Sequence, residues 1–233
     1  MNCAVIVAAG QSKRFGRDKL WLRLDGLPVV AHTLHAFLRC RFLHHVVLVV
    51  NAKRRERFAR LLRTPRFAKH SSRITITVGG AERQDSVWHG IQACPPRTTI
   101  IAIHDAARPC VTPALIHRTI AAAKKYGAAI AAAPIADTIK ESTADGTINR
   151  TIPRDQLWGA QTPQTFRADV IRRAYSRVIA QRLRVTDDAA AVELFGHPVR
   201  LVSSDSTNLK ITRPADLGLA EYRLSAIRKA TQP

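Results

Sequence analysis

The sequence predicts a doubly wound α/β fold with a mostly parallel sheet, in one domain spanning residues 1–233. Short β-branched runs alternate with segments of helical periodicity, which is typical of right-handed βαβ units. Several runs are continuously apolar, as expected of strands that helices cover on both faces. A chain of 233 residues, 46% of them hydrophobic, is long enough to bury a large core.

The alternation predicts five strands and four helices in the first part of the chain. The strands are Ala4–Ala8, Val46–Val50, Ile74–Val78, Ile100–His104 and Ala128–Ala133. The helices are Pro28–Arg39, Arg54–Leu62, Asp85–Ala93 and Pro113–Tyr126. Thr112 can cap the last of these helices and Gly127 can end it. Ligands should bind where the strands reach their carboxyl ends, so the loops that follow them are the candidate binding loops.

After Pro134 the alternation stops and a polar hairpin is predicted. Residues 137–151 place β-prone residues on both sides of Asp145-Gly146, which is a strong hairpin signal. An isolated two-stranded ribbon is marginal in water, so we expect a protruding arm, over about residues 137–158, that reaches a second subunit. A solvent-exposed loop is the alternative. Further elements are predicted at Ala168–Ala180, Asp187–Phe195 and Pro214–Lys229 (helices) and Val199–Val202 (strand).

Composition narrows the class of protein. Lys and Arg number 37 against 17 Asp and Glu, a net charge of +20 that favours nucleic acid, nucleotides or phosphorylated metabolites as partners. The four cysteines and nine histidines show no metal-ligand or redox spacing. No apolar run reaches the roughly 18 residues of a membrane span. We interpret MNCAVIVAAG as a buried strand and not as a signal peptide, and expect a cytoplasmic protein.

The first candidate loop runs from Ala8 to Lys19, directly after the first strand. Its small residues allow backbone amides to approach a phosphate, and its cations can contact several phosphate oxygens. The small residues are Ala8, Ala9 and Gly10, and the cations are Lys13, Arg14, Arg17 and Lys19. The spacing matches neither a Walker loop nor the dinucleotide-binding G-x-G-x-x-G. We interpret it as a phosphate-binding loop, with an ordinary turn carrying incidental charges as the alternative.

The second loop, GGAERQDS, spans Gly79 to Ser86 and opens a helix. The functional interpretation places Ser86 and the Gly80 backbone beside a base or ribose. The structural alternative is that Asp85 or Ser86 caps the helix.

The third loop, HDAARP, spans His104 to Pro109 and places Asp105 at the carboxyl edge of the sheet. Asp105 can accept a ribose hydroxyl or hold Mg²⁺, and Arg108 can clamp a phosphate. An internal Asp105–Arg108 ion pair that only shapes the turn is the alternative.

Three later segments, at residues 154–166, 185–193 and 208–212, combine polar groups with apolar anchors. Thr186 is a natural N-cap for the helix that follows it. Lys210 lies in NLKIT, where alternation predicts a short strand with the cation on the face towards the site.

Seven motifs together resemble the 2-C-methyl-D-erythritol 4-phosphate cytidylyltransferase family. They are AAGQSKRFG, GGAERQDSV, HDAARPC, APIADTIK, LWGAQTPQTF, TDDAAAVE and NLKITRPADL, in that order. The resemblance implies a Rossmann-like nucleotidyltransferase sheet and a homodimer whose β-arm exchanges between subunits. It also implies transfer of CMP from CTP to 2-C-methyl-D-erythritol 4-phosphate, with a divalent cation, usually Mg²⁺.

Site residues carried over from this resemblance fall into two groups. Arg14 and Lys19 would stabilise charge on the α-phosphate, while Lys210 and the arm residue Arg154, acting in the partner's pocket, would hold the attacking phosphate. Asp105 is also a possible metal ligand. The substrate-binding positions are Ala8, Ala9, Gly10, Gly80, Ser86, Asp105, Ala106, Arg108, Thr138, Thr162 and Thr186.

Three alternatives stay open. The acceptor could be ribitol 5-phosphate or a related polyol phosphate. The compact first loop, with Arg14 and Lys19 about two residues closer than usual in the family, is similar to loops of nucleotidyltransferases that act on molybdenum cofactor. The charge also allows a nucleic-acid-binding protein, although no recognition helix or aromatic platform supports one.

Overall fold

The computed structural model describes residues 1–10, 15–16 and 18–230. The strands are β1 Asn2–Ala8, β2 Arg23–Leu24, β3 Leu27–Pro28, β4 His45–Val50, β5 Ile74–Val78, β6 Ile100–Asp105, β7 Ala128–Pro134, β8 Ile139–Ser142, β9 Ile148–Ile152, β10 Trp158–Arg167 and β11 Arg200–Ser203. The helices are α1 Val29–Arg39, α2 Arg55–Leu62, α3 Pro65–Ala68, α4 Arg83–Gln92, α5 Pro113–Tyr126, α6 Ala168–Ala180, α7 Asp188–Glu193 and α8 Asp216–Ala230.

The central sheet has seven strands in the order β11-β7-β10-β6-β1-β4-β5. Neighbours pair in parallel except at β10, which runs antiparallel between β6 and β7. Buried apolar side chains form a cluster on each face of the sheet, and each cluster packs against helices. The predicted doubly wound, mostly parallel α/β fold is therefore confirmed, and the ends of β1, β4, β5 and β6 meet at one edge.

Strand β10 was not predicted, and it contains Pro163. Proline lacks the N–H that a ladder needs, so a proline normally argues against a central strand. Here the pairing of β10 with β7 is irregular between Ala160 and Gln164, and Pro163 lies within that interruption. The ladder resumes at Gln164.

The predicted hairpin is present. Strands β8 and β9 pair antiparallel as a separate two-stranded sheet, and Gly146 has φ +86°, the left-handed conformation that glycine favours. Most of its residues are exposed. Whether the arm reaches a second subunit stays a prediction.

Helix boundaries confirm one predicted cap and correct three other local predictions. The Thr112 side chain accepts a hydrogen bond from the Leu115 N–H and caps α5, and Gly127 ends that helix. Helix α4 begins two residues earlier than predicted: Glu82 is its N-cap, and Asp85 bonds back to the Glu82 N–H in a capping box.

The other two corrections concern the last segments. Asp187, not Thr186, caps α7, because its carboxylate accepts from the Ala190 N–H at 2.9 Å. The NLKIT segment is not a strand but an extended loop after β11. At the end of this segment the backbone N–H groups of Thr212 and Arg213 donate to the Asp216 carboxylate. These bonds take the place of the backbone hydrogen bonds that a neighbouring strand would supply.

Helix α4 lies unusually close to the sheet because of Gly90. A Cβ added at this position would lie 2.4 Å from Val5 Cγ1 and 2.8 Å from Val49 Cγ2, on β1 and β4. These contacts set the distance between the sheet and the helix that begins at the second loop.

His104 is the buried polar residue that connects β6 to β10. The Asp105 N–H donates to Thr162 Oγ1 at 3.1 Å, and Thr162 Oγ1 lies 3.0 Å from His104 Nδ1. Because the hydroxyl oxygen already accepts from Asp105, we assign its proton to the bond with His104 Nδ1. We therefore assign the imidazole proton to Nε2, which lies 3.3 Å from the Arg108 carbonyl oxygen. Burial is the main reason why the pKa of His104 falls to about 3, with Arg108 and Lys210 lowering it further against the attraction of Asp105.

Replacing Gly90 with alanine should destabilise the protein. Overpacking of a filled core costs about 1–3 kcal/mol, which urea unfolding would measure. Gly218→Ala in α8 is the matched control, since nothing lies within 4 Å of its added Cβ. Alanine in a helix should leave stability unchanged or raise it by up to about 1 kcal/mol. Equal effects of the two changes would contradict this account of α4 packing.

The neutral state of His104 predicts an acid-dependent loss of stability. An unfolded histidine takes up a proton near pH 6.5, whereas folded His104 does so only near pH 3. Stability should therefore fall between these values as pH decreases, by up to about 1.4 kcal/mol per pH unit. The free energy of unfolding would be measured at several pH values for the protein and for His104→Gln. The dependence of this free energy on pH should be weaker in the variant, by the equivalent of about one proton. Parallel slopes would refute the assignment.

Candidate active site

A cleft of about 580 Å³ opens at the carboxyl edge of the parallel strands. Nine of the predicted site residues line it: Ala8, Ala9, Gly10, Lys19, Gly80, Ser86, Asp105, Ala106 and Lys210. A larger cavity of about 680 Å³ lies by α1 and α3, but its lining contains none of them. The sheet thus brings the three predicted loops and the Lys210 segment to one place.

One guanidinium holds both described ends of the first loop. Arg54 Nη1 donates to the Gly10 carbonyl oxygen at 3.0 Å, and Arg54 Nε lies 3.1 Å from Asp18 Oδ2. Arg54 was predicted to begin a helix, and its contact with the first loop was not predicted. Arg14, together with Lys13 and Arg17, lies outside the described residues, so its predicted place beside the α-phosphate stays a prediction.

Lys19 joins the first loop to the Lys210 segment. It begins a short 3₁₀ turn, Lys19–Trp21, and its Nζ donates to the Ile211 carbonyl oxygen at 2.6 Å. Two predicted site lysines, Lys19 and Lys210, therefore line the same cleft from segments that are nearly 200 positions apart in the chain.

The second loop packs so closely that it requires glycine. A Cβ at Gly79 would lie 2.5 Å from Ser86 Oγ and 2.7 Å from Ala9 Cβ, and one at Gly80 would lie 2.4 Å from Asp85 Cβ. The first and second loops are thus in direct contact. Ser86 is buried, and its hydroxyl donates to the Glu82 carbonyl oxygen at 3.1 Å.

Asp105 is surrounded by three cations. Its Oδ2 lies 2.7 Å from Lys210 Nζ and 3.9 Å from Arg108 Nε, and its Oδ1 lies 3.4 Å from Arg83 Nε. Burial favours protonation of this carboxyl, but Arg83, Lys210 and Arg108 outweigh it and hold the pKa of Asp105 well below its usual range. The site therefore contains a carboxylate that stays ionised at neutral pH.

Arg108 is largely buried, and its Nη1 donates to the Asn208 carbonyl oxygen at 2.8 Å. This bond fixes the Lys210 segment against the turn after β6. The arrangement includes the long internal Asp105–Arg108 contact that was the alternative interpretation, and Arg108 does not line the described cleft. A phosphate contact by Arg108 stays a prediction.

The four remaining predicted residues lie outside the described lining of the cleft. Thr162 is buried beneath it and positions the Asp105 backbone. Thr138 and Thr186 are exposed. Arg154, also exposed, donates to the Ala136 carbonyl oxygen at the base of the arm.

Arg83 lies within the motif GGAERQDSV, but no function was predicted for it. Its side chain lines the cleft and bridges Asp105 to Asp188, a buried residue of α7. The two aspartates are far from Arg83 in sequence, and no local pattern indicates such a pair.

Carboxylates are sparse at this site. Among the described residues, no three His, Cys, Asp or Glu side chains are close enough to hold a metal ion together. Two acidic residues, Glu82 and Asp105, line the cleft, and Glu82 is engaged in the capping box of α4. Asp105 is therefore the carboxylate of this lining that could hold Mg²⁺ together with phosphate and water ligands, and this role stays a prediction.

None of the helices in the described part of the chain combines the length and apolar character needed to cross a membrane.

Comparison with known proteins covers nearly the whole chain. A family model described as 2-C-methyl-D-erythritol 4-phosphate cytidylyltransferase matches residues 2–226. Proteins of that name are 43% identical in Pelotomaculum thermopropionicum, over 96% of this chain and 94% of the relative, and 45% identical in Dehalococcoides mccartyi strain CBDB1, over 95% of each.

Solved structures agree. The 4-diphosphocytidyl-2C-methyl-D-erythritol synthase of Anaerococcus prevotii has a TM-score of 0.85 at 28% identity, covering 97% of this chain and 96% of that one. The 2-C-methyl-D-erythritol 4-phosphate cytidylyltransferase of Thermus thermophilus has a TM-score of 0.77 at 29% identity, covering 95% of this chain and 98% of that one. The fold, the cleft at the edge of the sheet and a match over nearly the whole length lead to one conclusion: this chain belongs to the 2-C-methyl-D-erythritol 4-phosphate cytidylyltransferase family.

Proposed function

We propose that this chain transfers CMP from CTP to 2-C-methyl-D-erythritol 4-phosphate, giving 4-diphosphocytidyl-2-C-methyl-D-erythritol and pyrophosphate. The observation that carries the proposal is a cleft in which the small-residue loop, Lys19, Asp105 and Lys210 meet, in a chain that matches the family along nearly its full length. Such a cleft offers backbone amides and cations to a triphosphate.

In this reaction the protein has to position the two substrates and neutralise phosphate charge. A phosphate oxygen of the acceptor attacks the α-phosphorus of CTP, a new P–O bond forms, and the bond to the β-phosphate oxygen breaks with its electron pair leaving on pyrophosphate. The acceptor phosphate is already ionised at neutral pH, so no side chain has to remove a proton. Lys19 and Arg14 would offset charge on the α-phosphate, and Lys210 and Arg154 would hold the attacking phosphate.

Lys19 and Lys210 lie on different segments of the cleft wall, so one can contact the α-phosphate of CTP and the other the acceptor phosphate. Lys19 lines the cleft, and its bond to the Ile211 carbonyl oxygen keeps its ammonium where a phosphate oxygen can accept a hydrogen bond from it. Lys210 lies on the Asp105 carboxylate, on the side of the cleft formed by β6.

A divalent cation, usually Mg²⁺ in this family, belongs to the proposal. When bound it would neutralise phosphate charge, with Asp105 as the protein group that could hold it. Since Asp105 also pairs with Arg83 and Lys210, most of the ligands would come from the triphosphate and from water.

A homodimer formed through the arm is likewise proposed. Ile148 on the arm is 65% exposed, and Trp158, where the chain returns to the central sheet, is 37% exposed, which favours burial against another chain. In that arrangement Arg154 would complete the partner's cleft. A cytoplasmic location is proposed as well, because CTP and polyol phosphates are metabolites of that compartment.

One assay tests the proposed reaction. The protein is incubated with CTP, Mg²⁺ and 2-C-methyl-D-erythritol 4-phosphate, and pyrophosphate release is measured with and without the acceptor. Release that depends on this acceptor and on CTP supports the proposal. Faster turnover with ribitol 5-phosphate, or release without any acceptor, would contradict it.

The Lys19→Ala variant should fold normally and lose about a hundredfold in kcat, the usual effect of removing one preorganised donor. Circular dichroism would establish folding, and pyrophosphate release would give kcat. Lys124→Ala is the matched control, because Lys124 is an exposed lysine of α5 outside the described lining of the cleft. Wild-type turnover in Lys19→Ala would contradict the role proposed for Lys19 at the α-phosphate.

A further inference from the structure

Arg83 lies between two carboxylates at the wall of the cleft. Its Nη1 and Nη2 donate to Asp188 Oδ1 and Oδ2 at 3.0 and 2.8 Å, a bidentate pair. Its Nε faces Asp105 Oδ1 at 3.4 Å. A planar guanidinium can hold both partners in fixed directions, which a lysine ammonium cannot do.

Asp188 is held in a fixed position and so fixes the Arg83 side chain. This carboxylate is fully buried, and its Oδ1 also accepts from the Tyr175 hydroxyl at 2.6 Å. The Asp188 N–H donates to Gln164 Oε1 at 2.9 Å, so β10 and α6 fix its position from two sides. Burial disfavours charge on Arg83, but Asp188 and Asp105 outweigh it and raise the pKa of Arg83 above its usual value.

Asp105 needs a counter-ion besides Lys210. In this structure Lys210 holds Asp105 Oδ2 at 2.7 Å, the shortest ion pair that the carboxylate makes. Under the proposed function, Lys210 must also contact the acceptor phosphate. A lysine that was the main counter-ion of a buried carboxylate would be held back from that contact, because an uncompensated buried charge is costly.

Arg108 is poorly placed to replace Lys210. Its Nε is 3.9 Å from Asp105, and its Nη1 is bonded to the Asn208 carbonyl oxygen. Arg83 instead faces the other carboxylate oxygen, Oδ1, and can stay there while Lys210 contacts the phosphate.

We propose that Arg83 is a positioning residue for the reaction: held by buried Asp188, it compensates Asp105 and so leaves Lys210 available to the acceptor phosphate. The inference rests on the proposed function. It assigns Arg83 no contact with the reacting atoms.

The test is the double variant Arg83→Gln/Asp188→Asn, which removes one positive and one negative charge together and leaves amides that can still hydrogen-bond. We expect KM for the acceptor to rise about tenfold, equivalent to about 1.4 kcal/mol. KM for CTP should stay within about twofold, since the interaction lost acts through Lys210 on the acceptor phosphate. Steady-state kinetics with each substrate varied in turn gives both values.

The matched control is Arg173→Gln/Asp169→Asn, which neutralises an exposed ion pair of α6 with the same change of charges. It should leave both KM values unchanged. The single variant Arg83→Lys keeps the charge opposite Asp188 but loses the fork, and its KM for the acceptor should lie between those of the wild type and the double variant.

Two results would overturn the inference: an unchanged KM for the acceptor in the folded double variant, or an equal rise of KM for both substrates, which a general structural defect would produce. If the double variant does not fold, Arg83→Lys decides by the same comparison. A wild-type protein that makes no product would overturn the proposed function itself, whereas an active wild type with an unaffected double variant overturns the assignment of Arg83 alone.

Discussion

The architecture of the site depends on one ionised carboxylate, Asp105, held among three cations at the end of β6. Each cation comes from a different part of the chain: Arg83 from the second loop, Arg108 from the turn after β6, and Lys210 from the loop after β11. An isolated buried charge is expensive, so the pairing of Asp105 also ties these segments together. The same interaction that stabilises the carboxylate therefore assembles the cleft.

Backbone packing explains how the loops reach this centre. The glycines of the second loop allow it to touch both α4 and Ala9 of the first loop, and Arg54 holds the first loop at Gly10 and Asp18. Thr162 on β10 fixes the Asp105 backbone from the other side. Preorganised donors and charges are worth most for phosphoryl transfer, where the protein contributes little covalent chemistry. This rigidity is consistent with the cytidylyl transfer that we propose for a member of this family.

The sequence predicted the cleft well because parallel strands place their carboxyl ends at one edge. By this rule the loops that contain Ala8, Gly80 and Asp105 could be placed at the cleft from the sequence. Lys210 reached the cleft although its segment is a loop and not the predicted strand. The Arg83–Asp188 pair could not be predicted, because its members are 105 positions apart and each fits a local helix start. Strand β10 was missed because its sequence, WGAQTPQTFR, is largely polar and contains Pro163, which is not typical of a central strand. The choice between Thr186 and Asp187 as a cap depends on the local backbone conformation.

A crystal structure of the protein with CTP and Mg²⁺ would show whether the triphosphate binds in this cleft. We expect the nucleotide in the cleft at the sheet edge, with its ribose near Asp105 and its α-phosphate about 3 Å from Lys19 Nζ, the length of a charge-assisted hydrogen bond. A triphosphate bound elsewhere, for example in the cavity by α1 and α3, with no phosphate oxygen within hydrogen-bond distance of Lys19 Nζ, would contradict it.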